Sequence, residues 1–342
     1  MMHADYEILH YGHEDSTVKC AEHITVTTND DLQKSYGKYN WKKEFFKHNT
    51  SDHAHQTFYQ KGEIELGKRV EEGDSILCFW GSGHRQIADN FKDRCYIIEP
   101  GIGYDAGSTF APYKVFESYA VMHSIYGELG IKHPAWYDAV IPNYFDTKDF
   151  NYSCVKDDYV LYLGRITEIK GLNIAIQATE KVNKKLIIAG QGDLKDLGYD
   201  RIPSHVEYVG FADTEKRREL LKHAQALILP THYIEPFGGV TIEALFSGTP
   251  IITTDWGCFA ENNLHGITGY RCRNMSQFVW ALQNIRNIVP ADCKNWAEKN
   301  FSLERVSKMY KEYFNSLDGL NREGFYEINN NTNLDWLNKT YP

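Results

Sequence analysis

No stretch of the chain comes near the ~18 consecutive apolar residues that a bilayer-spanning helix requires, and the opening MMHADYEILH has neither the basic segment nor the apolar core of a secretory signal. A soluble, cytoplasmic protein is the expectation. Cysteine is sparse and scattered: its seven positions, 20, 78, 95, 154, 258, 272 and 293, form no C-x-x-C pair. Neither a disulfide framework nor a thiolate zinc site is indicated, and reduced, mostly buried thiols are expected. Clustered positive charge is missing too. The overall balance is 37 Lys and Arg against 46 Asp and Glu; residues 1–152 hold 15 and 23 of these, a net of −8, which leaves 22 and 23, a net of −1, for the rest. A surface that grips a nucleic-acid backbone or an anionic membrane needs a basic stripe, and nothing longer than runs such as Lys42-Lys43 is present. Polyanionic partners are therefore disfavoured.

What is present is an ordinary globular composition, 42% hydrophobic and 24% charged over 342 residues, enough for two domains. Short apolar runs alternate with helical patterns, the signature of an α/β fold with parallel sheets. In the second half, strands are expected at 159–163, 185–189, 206–209, 226–229 and 250–253, with helices at about 171–182, 214–223 and 239–248 between them. In the first half, strands are expected near 6–11, 23–28, 75–80, 95–98 and 137–141, while the polar, aromatic segment 33–60 has no clear placement. The polar stretch TKDFNYSCVKDD marks the boundary between a domain over 1–150 and a second over 151–317. Amphipathic helices are expected at 275–288 and 302–316, and 318–342, with its INNNTN, reads as an extended or mobile tail.

Two segments carry the chemistry. YVLYLGRITEIKG is a strand ending in Gly164, followed by Arg165 and Lys170; cations at the carboxyl edge of an open sheet suit a pyrophosphate. IEPFGGVTIEALFSGTPIITTD sets Glu235 in a loop and Glu243 about one turn inside a helix opened by Gly238 and Gly239. The amides of Gly238, Gly239 and Val240 would then point toward an anion from the positive end of the helix, with Glu243 free to accept from ribose hydroxyls and Glu235 from those of a transferred group.

In these segments the chain resembles the donor domain of the retaining glycosyltransferases of family 4, over Tyr159 to about Tyr310. The pieces follow the family's order: GRITEIKG; LIIAGQGDL with Gly190 and Gly192; VEYVGFAD; AQALILPTHYIEPFGGVTIEALFSGTPIITTDWG; HGITGY. VIPNYFDTKDF resembles the family's Pro-Asn-Gly-x-Asp segment, with Tyr144 where glycine is usual. The resemblance implies a GT-B fold of two facing Rossmann-like, doubly wound domains with a cleft between them. It implies that Arg165 and Lys170 bind the diphosphate of a nucleotide-sugar, that Glu235 contacts the sugar, that Gly238 and Gly239, flanked by Phe237 and Val240, approach the phosphates, and that Glu243 holds the ribose. Gly164, Gly190, Gln191, Gly192 and Phe211 are candidate neighbours of the nucleotide. By position, His84 after SILCFWG corresponds to a family histidine beside the sugar; Glu99, in a place where relatives carry histidine, would either accept from a sugar hydroxyl or cap a loop.

The implied activity is sugar transfer with retention, from a nucleotide-sugar to a glycan, small molecule or protein, with no cofactor and no metal ion. His53 and His55 have ligand-like spacing for a strand but lack an accompanying carboxylate pattern. Alternatives are a GT-B phosphorylase, for which no pyridoxal lysine is apparent, a transferase acting on DNA bases, which the acidic first half disfavours, and a non-catalytic nucleotide- or glycan-binding module. Only eleven residues separate the strands expected at 6–11 and 23–28, too few for a parallel crossover with its helix. The expectation is therefore an N-terminal sheet short of its first βα unit.

Overall fold

Short runs of two to seven residues, most of them apolar, become strands, and capped segments between them become helices. The computed structural model describes residues 6–40, 42–46 and 49–320. In the N-terminal part these are β1 (Leu9–His13), β2 (Glu22–Thr27), α1 (Asn29–Tyr36), α2 (His53–Gly67), β3 (Ser75–Leu77), α3 (Arg85–Ala88), β4 (Tyr96–Ile102), β5 (Tyr113–Phe116), α4 (Tyr119–Leu129) and β6 (Ala139–Val140). They form two parallel sheets, a β1–β2 pair and the four-stranded β3-β4-β5-β6. β1 and β2 pair in parallel across a link, 14–21, that contains no helix. The link is too short for a helix, as the spacing implies, yet the strands pair in parallel because eight extended residues span roughly 26 Å, ample to return along a five-residue strand of about 17 Å. β5 was not expected; its YKVF is too short to show a period.

The segment without a clear placement in the sequence holds two helices. Thr28 and Asp31 close a reciprocal capping box on α1, and the Asp52 carboxylate accepts from the His55 amide to cap α2. His53 and His55 thus lie in the first turn of a helix, not on a strand, and two residues apart they diverge by about 200°. His53 bonds Asp31 at 2.9 Å and His55 bonds Asp52 at 3.0 Å.

The second part runs β7 (Tyr159–Leu163), α5 (Leu172–Lys181), β8 (Lys185–Ala189), β9 (Val206–Tyr208), α6 (Thr214–His223), β10 (Ala226–Leu229), α7 (Gly239–Phe246), β11 (Ile251–Thr254), α8 (Phe259–Asn262), β12 (Gly269–Cys272), α9 (Met275–Asn284), α10 (Pro290–Phe301) and α11 (Leu303–Asp318). All five expected strands form, joined by β12, in one parallel sheet of order β12-β11-β10-β7-β8-β9. From β7 the chain winds outward through β8 and β9, then returns to lay β10 on the other side of β7. That reversal makes β7 and β10 a topological switch point, where loops leaving the two carboxyl ends diverge and open a crevice. Residues 321–342, most of the expected tail, lie outside the described residues.

Several contacts among the described residues join the two parts, the Phe145 backbone bonds to Phe301 and Leu303 and the Asp149–Arg218 ion pair among them. The Glu261 carboxylate, on α8, accepts from the amides of Tyr119 (3.0 Å) and Ala120 (2.7 Å) at the start of α4. The Gln191 side-chain amide donates to the Glu44 carbonyl at 2.6 Å. At the far end, Tyr6 packs edge-on against Phe314 of α11, with ring centroids 5.2 Å apart.

Candidate active site

The two loops at the switch point bring the expected residues together. After β7, Gly164 leads to Arg165, and a short turn carries Lys170; Gly171, at φ 72°, then starts α5. After β10, residues 230–238 carry Tyr233 and Glu235 to the Gly238 that starts α7. The His232 amide donates to the Ile169 carbonyl at 2.8 Å and stitches the loops to each other.

Lys170 meets Glu235 in the resulting crevice, its ammonium 3.0 and 2.8 Å from the two carboxylate oxygens, and it also donates to the Tyr233 hydroxyl. Both side chains are nearly buried. Burial and the neighbouring Glu235 carboxylate push the Tyr233 hydroxyl far above the ordinary tyrosine range, so it stays protonated. Arg165 behaves differently: it is exposed, and among the described residues its guanidinium makes no hydrogen bond or ion pair. Its charge is felt at Tyr162 and Tyr233, which places it at the mouth of the same crevice. One cation is matched within the protein and the other is available to an anion.

Gly238 starts α7 at φ 69°, and no side chain caps the helix. A Cβ there would lie 2.8 Å from the Phe259 ring, so glycine answers both to backbone conformation and to space. The first amides of α7, at Gly239 and Val240, are left without intrahelical partners at the positive end of the helix. Glu243 follows one turn later and is held by the Arg217 guanidinium of α6, which donates to both carboxylate oxygens. Burial raises the Glu243 carboxyl and Arg217 opposes that rise.

The Gly190 and Gly192 loop packs against the Gly164 loop. A Cβ on Gly190 would sit 1.7 Å from the Gly164 carbonyl oxygen, and one on Gly192 would sit 2.9 Å from Ile166. Gln191, between them, is the residue that reaches Glu44 of the other domain. Phe211 is half-buried, in the loop that follows β9.

Two candidates have other surroundings. The Phe237 ring is 4% exposed and packs with Phe145 and Phe301, so it is core, and only its backbone borders the crevice. His84 stacks on Phe58 of α2 at 5.5 Å, and among the described residues no bond or ring contact joins it to Arg165, Lys170 or Glu235. Burial lowers its imidazole to about 4, which keeps it neutral. Of the two readings of Glu99 the structure selects the loop cap: fully buried, it accepts from the Tyr104 hydroxyl and the amides of Phe110 and Ala111. No group of three or more His, Cys, Asp or Glu suited to a metal ion occurs among the described residues.

Sequence reasoning missed Tyr233, although its position two residues before Glu235 in an extended loop was a usable signal. It also missed Arg217, hidden in the basic run TEKRRELLKH that reads as a solvated helix face, and Glu261, whose partners are backbone amides.

Residues 146–298 match the family model described as glycosyl transferases group 1. This part of the chain is a group 1 glycosyltransferase domain. An uncharacterised glycosyltransferase of Methanocaldococcus jannaschii is 31% identical over 183 residues, which are 49% of this chain and 44% of that protein. The glycogen synthase of Mycobacterium tuberculosis is 37% identical over 123 residues, 33% of this chain and 30% of the relative. The chain therefore spans less than half the length of these curated relatives. In three dimensions it resembles Anabaena HepE, solved in complex with UDP, with a TM-score of 0.63 at 16% identity over 76% of this chain and 82% of the other. That likeness extends beyond the group 1 domain to the N-terminal sheets, and the fold is GT-B.

Proposed function

We propose that the protein is a retaining glycosyltransferase that takes a sugar from a nucleoside diphosphate and delivers it to an acceptor held mainly by the N-terminal domain. One observation carries this reading: an unpaired cation, a lysine–glutamate pair and an uncapped, glycine-started helix converge on the crevice at the β7–β10 switch point. Leaving diphosphate gathers negative charge as the glycosidic bond breaks. Arg165, Lys170 and the α7 amides stand where that charge develops and need no reorganisation to meet it. Glu235 accepts from hydroxyls of the sugar while Lys170 holds it in place. Glu243, oriented by Arg217, accepts from the ribose. Retention follows from attack on the face the diphosphate leaves, which asks for no protein nucleophile. The match to group 1 enzymes and the likeness to a protein solved with UDP support a nucleotide-sugar as donor.

The test is nucleoside diphosphate binding, by calorimetry or thermal shift, across ADP, GDP and UDP. Arg165→Ala and Glu243→Ala should each weaken the diphosphate that binds by about tenfold or more, the loss of one charge-assisted hydrogen bond. Unchanged affinity in both folded variants would remove the assignment.

Metal independence follows from the same residues, since two cations already serve the diphosphate and the donor motifs contain no Asp-x-Asp pair. Turnover of the donor should survive excess EDTA unaltered. Strict dependence on added Mn²⁺ would show that the diphosphate is bound in another way.

A further inference from the structure

Glu117 is a carboxylate that the donor-site reading does not use, and it approaches that site from the opposite domain. It follows β5 directly and precedes by two residues the Tyr119 and Ala120 amides that Glu261 holds. Glu261 belongs to α8, and just ahead of α8 the Cys258 amide donates to the Glu235 carbonyl at 2.9 Å. This chain of bonds sets the end of β5 beside the Glu235 loop. The electrostatics agree: burial and then Glu235 raise the Glu117 carboxyl, and the Cys258 thiol, pushed up first by burial, is raised further by Glu235, Glu261 and Glu117.

The position of Glu117 is built rather than accidental. Its Oε1 accepts from the Asn143 side-chain amide at 2.6 Å. A Cβ on Gly103 would lie 2.2 Å from Oε2, so glycine is required for the carboxylate to rest there. Glu117 is half-buried, and among the described residues it has no ion pair. Lys170, on the donor side, is paired with Glu235.

We infer that Glu117 and Glu235 are facing walls of the pocket for the transferred sugar, and that together they restrict the donor to neutral sugars and exclude uronic acids. The inference rests on the donor-site reading above and deepens it. Hydroxyls suit two carboxylates, which can only accept. Where both walls are ionised, a sugar carboxylate would bring a third negative charge into a half-buried pocket, and neither wall could then donate to it. Discrimination thus comes from repulsion as much as from fit.

The diphosphate screen fixes the base first. The decisive comparison is then the glucose and glucuronate esters of that nucleoside diphosphate, followed by release of diphosphate and by competition binding. Wild type should favour the glucose donor by roughly a hundredfold or more, the expected scale for like charges brought together. Glu117→Gln, which keeps the shape and the Asn143 contact, should narrow that ratio by about tenfold or more, while free diphosphate, which does not reach Glu117, binds both proteins alike. Equal use of the two donors by wild type, or an unchanged ratio in Glu117→Gln, overturns the inference and leaves the donor site standing. Failure of wild type to bind any nucleoside diphosphate overturns the donor-site reading, and this inference with it.

Discussion

Lys170→Met should lower donor turnover by about a hundredfold or more, the scale of removing one preorganised group from a developing negative charge. The same change should also destabilise the fold, because it leaves Glu235, 7% exposed, as a buried carboxylate without its cation. Breaking one side of such a pair costs about 3–5 kcal/mol. The two effects separate in the double variant Lys170→Met/Glu235→Gln. With the charge removed from both partners, denaturant unfolding should show most of the lost stability restored, whereas turnover should stay as low as in the single variant or lower. Recovery of turnover in the double variant would mean that Lys170 acts only by neutralising Glu235 and never meets the diphosphate.

Gly171→Ala should destabilise the protein by about 3 kcal/mol, which for a domain of this size lowers the melting temperature by roughly 6–12 °C. Two penalties add there. The backbone is left-handed at φ 72°, and the new Cβ would fall 1.8 Å from the Pro230 carbonyl oxygen, at the end of β10. Backbone, unlike a side chain, cannot swing aside, so the loops after β7 and β10 must separate. Nucleoside diphosphate affinity should fall along with stability, since those loops carry Arg165, Lys170 and Glu235. Gly198→Ala serves as the control. Its φ of 83° is similarly strained, but a Cβ would meet nothing within 4 Å, so only the conformational cost of about 1–2 kcal/mol remains. Equal losses in the two variants would show that the close approach to Pro230 contributes nothing.

The C-terminal domain was legible because its buried strands are near-continuous apolar runs, such as YVLYL and ALIL, bounded by glycine, proline and polar turns. Its site was legible for a related reason: residues at the ends of adjacent parallel strands meet at a switch point, so order along the chain predicts convergence in space. The N-terminal domain was harder. β5 is four residues long, too short for periodicity, and α1 owes its start to a Thr28–Asp31 capping box whose flanking sequence is as polar as a loop. Side chains that act across the domain boundary left no trace in the sequence. Glu117 and Glu235 are brought together by the Glu261 contact with backbone amides, which any residue type at 119 and 120 other than proline would offer. His84 was placed by analogy of position after a strand, and a stack on Phe58 is a tertiary fact that position does not reveal.

The Glu261 contact also bears on how the proposed site is divided between the domains. Arg165, Lys170, Glu235, Glu243 and Arg217 all belong to the C-terminal domain, whereas Glu117 belongs to the other, two residues from the amides that Glu261 holds. On the proposed reading, a molecule whose domains parted would keep every residue proposed to hold the nucleotide and would lose one wall of the sugar pocket. Such a molecule could read the nucleotide but not the charge of the sugar it carries.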